Sequence, residues 1–148
     1  MKYPTLSILA FFFMSCSLFG QDIRASKVPS EVKNTLSTEF PDADDIDWEK
    51  KKGDYEADFE IKDVDHSALF NAKGELLMSK MDIRSSELPA AVAEKISQDY
   101  VDYHIDDAEK VDVNGRTLYQ VELDGRPRDL DVVYTADGQE DKNFKYWD

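Results

Sequence analysis

Apolar residues recur at every fourth position in two places along the chain, at Val28, Val32, Leu36 and Phe40 and again at Leu88, Val92, Ile96 and Tyr100. That spacing lays them on one stripe of a helix, and Pro29 and Pro89 stand in the first turn, where a missing N–H costs no intrahelical bond. Helices are predicted over 29–40 and 89–100. The pattern then changes to period two: Ile46 and Trp48, then Tyr55, Ala57, Phe59 and Ile61 in the first half; Val111 and Val113, then Tyr119, Val121 and Leu123 in the second. Such alternation predicts antiparallel strands with one apolar face. Lys52-Gly53 and Asn114-Gly115 supply tight hairpins, and Asn71–Gly74 and Thr135–Gly138 supply turns whose glycine can take a positive φ. A fourth strand is expected after each of these turns, around 75–83 and 139–147.

The two halves match in three blocks in the same order. Val28-Pro29 corresponds to Leu88-Pro89, "GDYEADFEI" at 53–61 to "GRTLYQVEL" at 115–123, and "LFNAKGE" at 69–75 to "VVYTADGQ" at 133–140. The chain is therefore read as a tandem duplication. One helix cannot cover both faces of a four-stranded sheet. The expectation is an α+β fold in which two helix-plus-four-strand repeats, 28–87 and 88–148, form one antiparallel sheet of about eight strands with both helices on one face. The other face should meet water. Consistent with this, the positions alternating with Tyr55, Ala57 and Phe59 are Asp54, Glu56, Asp58 and Glu60, and the matching set in the second half includes Leu118, Gln120 and Glu122.

Residues 1–20 carry Lys2, an apolar run through Phe19 and then Gly20-Gln21, the layout of a secretory signal peptide, with 21–27 as a short linker. The run is shorter than the ~20 apolar residues of a membrane span, so no stable insertion of the mature chain is expected. Cys16 is the single cysteine, which excludes an internal disulfide; lipidation at Cys16 is the alternative to cleavage near Gly20. The formal net charge is -14, to which residues 1–20 contribute only Lys2. A chain so acidic repels nucleic-acid phosphates and anionic headgroups, which leaves basic partners or cations.

Together, "VPSEV", "FPDAD", "YEADFEI" and "FNAKGE", with "LPAAV", "YQVEL" and "TADG" in the second half, resemble the PepSY-like family of small secreted bacterial domains. That family is related in architecture to the beta-lactamase inhibitory protein. The likeness runs from Val28 to the C-terminus, with departures at Val101-Asp102-Tyr103 and Arg126-Pro127-Arg128. It implies a periplasmic or extracellular binding or inhibitory module whose open sheet face grips a protein or peptide, and it names no target.

Catalytic and metal chemistry find little support. His66 and His104 are the only histidines, Ser67 beside His66 points to the other face of a strand, and no HExxH, CxxC, GxGxxG or P-loop pattern occurs. No enzyme activity, cofactor or metal is expected. The acidic run "DADDID" at 42–47 offers carboxylates for calcium but lacks the glycine and terminal glutamate of an EF-hand loop. An acidic cation-binding envelope protein is the alternative function. For the partner-binding face, the candidates are Asp54, Glu56, Asp58, Glu60, Leu118 and Glu122.

Overall fold

The structure, a computed structural model, describes residues 21–148; the expected signal peptide and Cys16 lie outside the described residues. Its elements in order are β1 (Gln21–Asp22), α1 (Ser30–Glu39), β2 (Asp44–Lys51), β3 (Asp54–Ile61), β4 (Val64–Phe70), β5 (Leu76–Asp82), α2 (Ala90–Asp99), β6 (His104–Val113), β7 (Arg116–Asp124) and β8 (Leu130–Thr135). All eight strands form one antiparallel sheet in sequence order. The two halves join through β5 and β6, where Met78 faces Val113, Lys80 faces Val111 and Asp82 faces Glu109.

Both helices form where the four-residue spacing places them. Val32 and Leu36 of α1 are buried with Trp48, Tyr55, Ala57, Phe59, Ala68 and Phe70. Val92 and Ile96 of α2 are buried with Ala108, Val121, Leu123, Val132 and Tyr134. Register carries Ala57 to Ala68, Ser79, Asp112 and Thr117 along one side, and Ala108 to Val121 and Val132 along the same side, so the helices share a face. The expected one-sheet, two-helix architecture is the observed one.

The four strands accompanying each helix are one before it and three after. β1, in the stretch expected to be a linker, pairs with β2 across α1 as β5 pairs with β6 across α2, and Ile23 and Ile83 donate to Trp48 and Ala108 in matching bonds of 2.9 Å. The signal was in the sequence, since "DIRASKVP" at 22–29 repeats as "DIRSSELP" at 82–89. The strand expected at 139–147 is not formed. Glu140 makes a single bridge to Tyr134, after which the Asp141 carboxylate accepts from the N–H groups of Asn143 and Phe144 and bends the chain away. Where β5 has Leu76-Leu77-Met78, this segment has Glu140-Asp141-Lys142, with no apolar side chain to seat on a sheet.

The repeated phrase at the β4 and β8 ends has a packing cause. Gly74 and Gly138 take φ of +84° and +82°, and a Cβ there would lie 2.8 Å from the Glu31 main chain and 2.7 Å from the Ala91 carbonyl oxygen. Each turn rests directly on the first turn of its helix. Thr35 adds a hydrogen bond of 2.7 Å to the Gly74 carbonyl.

Candidate functional site

The face of the sheet turned away from the helices is in two parts. Over β5–β8 it is apolar, with Val111, Leu118 and Val133 buried and Leu69, Met78 and Val113 packed around them. What covers them is the chain's own C-terminal segment, through Phe144, Tyr146 and Trp147. The expectation that this whole face meets water is corrected here. A strand with apolar residues on consecutive positions, as in Val132-Val133-Tyr134, is covered on both sides, and that was the legible sign.

Polar groups hold the segment in place. The Trp147 indole Nε1–H donates to Glu56 at 2.9 Å. The Gln120 amide reads the Trp147 main chain, accepting from its N–H at 3.2 Å and donating to its carbonyl at 2.8 Å. Lys80 donates to the same carbonyl at 2.9 Å, pairs with Glu109 at 2.8 Å and stands 5.3 Å from the centroid of the indole ring. Gln120 also donates to Glu109. Lys51 bonds Glu56 at 2.6 Å and the Asp148 main-chain oxygen at 3.1 Å. Buried carboxylates on an open sheet would be costly unless paired, and each of these has its donor.

Over β2–β5 the face is open and acidic. A cleft of about 380 Å³ is lined by seven carboxylates, among them Asp47, Asp58, Glu60, Asp65 and Asp82, with Lys80 as its single amine. Bulges at matching places in the two repeats, between Asp44 and Asp47 and between Ile105 and Asp107, bring acidic residues to one end of it. Asp82, Asp107 and Glu109 place carboxylate oxygens within 4.8 Å of one another. Burial, followed by the charges of Asp107 and Glu109, pushes the Asp82 carboxyl up to about 6. Burial and then the charge of Asp65 push Glu60 up as well, and Glu122 rises through burial and its neighbour Asp106.

The six expected partner-facing residues all turn away from the helices, but they do not form one patch. Asp58 and Glu60 line the cleft, Asp58 accepting from Ser67 at 2.7 Å. Asp54 sits at the hairpin end opposite Lys51, and Glu122 lies opposite Asp107 and Asp131; both are partly exposed and outside the cleft. Glu56 and Leu118, 3% and 0% exposed, lie under the C-terminal segment, so neither is accessible in this conformation. Gln120, Lys80 and Trp147 were not singled out from the sequence as partner-facing residues, because their roles depend on residues 27, 67 and 91 positions away. His66 stacks on Phe59 on the helix side with Nδ1 2.9 Å from the Val64 carbonyl, while Ser67 points to the other face. Among the described residues no helix is long and apolar enough to cross a membrane.

A family model described as "Putative beta-lactamase-inhibitor-like, PepSY-like" matches twice, over residues 18–77 and 61–139. Several solved structures share the fold. A DUF2874 family protein from Bacteroides uniformis superposes with a TM-score of 0.71 at 21% identity, covering 76% of this chain and 85% of its own. A protein described as "putative periplasmic" from Bacteroides eggerthii gives a TM-score of 0.71 at 24% identity, with the same coverages. A BLIP-like protein from Bacteroides fragilis gives 0.68 at 21% identity over 80% of this chain and 92% of that one. No protein with a curated description matches the chain.

Proposed function

The chain belongs to the beta-lactamase-inhibitor-like, PepSY-like family, and on that premise we propose that it is an exported, non-enzymatic module that binds a protein or peptide through the sheet face opposite the helices. One observation carries this reading. A rigid sheet presents a cleft with seven carboxylates, and its single amine, Lys80, is already engaged by Glu109. Such a surface complements a segment bearing Lys or Arg, and complementarity of this kind speeds encounter and rejects acidic partners. Asp58 and Glu60 line the cleft, Asp54 and Glu122 are accessible on the same face outside it, and Glu56 and Leu118 join that face once the C-terminal segment moves. The similarity to a BLIP-like protein and to one described as periplasmic supports an inhibitor-like role in the cell envelope. The test is binding of Lys/Arg-rich and Glu-rich peptide sets to the mature chain and to its Asp58→Lys/Glu60→Lys variant. Preference for basic peptides should vanish in the variant; equal binding by both chains would remove the face from consideration.

A second reading, an acidic cation-binding protein, draws on the Asp82, Asp107 and Glu109 cluster. Calcium takes six to eight oxygens, and Lys80 already holds Glu109. Calorimetric titration with calcium separates the two: a saturable heat lost in Asp107→Asn would favour the cation, and its absence favours the peptide.

A further inference from the structure

We propose that residues 144–148 are a displaceable latch occupying a peptide-recognition subsite, and that the partner this subsite takes is a peptide segment presenting a tryptophan. The inference deepens the reading above and rests on it for the identity of the face. Beyond the apolar seating of Phe144, Tyr146 and Trp147 on Val111, Leu118 and Val133, buried Gln120 spends both ends of its amide on the N–H and C=O of one residue, Trp147. Buried Glu56 accepts the indole N–H of that same residue, and Lys80 reaches both its carbonyl and the neighbourhood of its ring. Main chain, ring edge and ring face are thus each read separately, which is how a receptor recognises a peptide side chain in an extended backbone.

The tail, Asp141-Lys142-Asn143-Phe144-Lys145-Tyr146-Trp147-Asp148, has two lysines balanced by two aspartates, and its aromatic side chains Phe144, Tyr146 and Trp147 are the ones that pack on the sheet. Its lysines are exposed, as are Asn143 and Asp148, so the segment can be peeled from the sheet without breaking a strand pair beyond the Tyr134–Glu140 bridge. When it leaves, Val111, Leu118 and Val133 are uncovered and Glu56, Lys80 and Gln120 become hydrated, while the helix-side cores stay closed. A partner segment of like chemistry would then enter the vacated place, and its apparent affinity would be lowered by the fraction of chains whose latch is shut.

The test uses the full mature chain carrying Trp147→Ala, and a fluorescently labelled peptide with the sequence of residues 141–148. The peptide should bind this variant at least about tenfold more tightly than the wild-type chain, whose own tail competes. A peptide with its tryptophan replaced by alanine should not bind. Peptide binding equally to both chains, or to neither, would overturn the proposal while leaving the charge-reversal experiment on the cleft untouched. Should Trp147→Ala fail to give a native circular dichroism spectrum, hydrogen exchange on the wild-type chain decides. The Trp147 amide should exchange at least about tenfold faster than that of Val121, through local opening. Exchange of both at the rate of global unfolding would show that the tail does not open by itself.

Discussion

The indole Nε1–H of Trp147 meets the carboxylate of Glu56 at 2.9 Å, tying the end of the second repeat to β3 of the first across 91 positions of sequence. Glu56 is 3% exposed and has one other partner, Lys51. Glu56→Gln retains an acceptor for the indole and should leave the segment seated. Glu56→Ala leaves the buried indole N–H without its acceptor, and should cost about 1–3 kcal/mol. Urea denaturation, followed by the red shift of Trp147 emission, distinguishes these two outcomes.

Trp48 and Trp147 are both buried, on opposite faces of the sheet. Trp48 belongs to the α1 core, where removal leaves a cavity that nothing can fill, and Trp48→Ala should cost about 3–5 kcal/mol. Trp147 belongs to a segment that can detach, which caps the loss at the free energy of local opening, below that of global unfolding and below the loss at Trp48. Equal losses in chemical denaturation would contradict the latch.

Gly74 and Gly115 both have positive φ, +84° and +72°, but only Gly74 lies against backbone. Gly115→Ala should cost about 1 kcal/mol from the left-handed conformation alone. Gly74→Ala adds the approach to Glu31 and should cost about twice that or more, with Gly138→Ala alike through Ala91. Thermal unfolding of the three variants side by side is the measurement.

Asp82 is held near 6, above its ordinary 3.8, chiefly by burial. The folded chain therefore binds this proton more tightly than the unfolded chain. Between about pH 4 and 6 the native state carries the extra proton, so stability falls as pH rises through that window and the loss is complete above it. Asp82→Asn should flatten this part of the pH profile and raise the melting temperature at pH 7 by about 4 °C. A profile unchanged by the substitution would locate the acid-side stabilisation elsewhere.

The helices, the hairpins and the inward set Tyr55, Ala57 and Phe59 were legible because each rests on local periodicity: four-residue spacing for a helix stripe, alternation for a strand. The outward direction of Asp54, Glu56, Asp58, Glu60, Leu118 and Glu122 was legible for the same reason. Their accessibility was not. Leu118 and Asp58 share a face, yet one is sealed and the other lines a cleft, and the difference is a segment 26 residues beyond Leu118 in sequence. A strand was expected after Gly138 by analogy with β5, although Glu140-Asp141-Lys142 already argued against it.

The chain's residues alone determined the duplication, the two helices, the antiparallel strands and the acidic character of one sheet face, since each of these arises from neighbours a few positions apart. Tertiary structure decided where the last eight residues go, and with them which part of that face stays open. The physical reason is that a tail without a strand pattern has no local preference of its own. Its place is chosen by Gln120, Glu56 and Lys80, which only the finished sheet brings together.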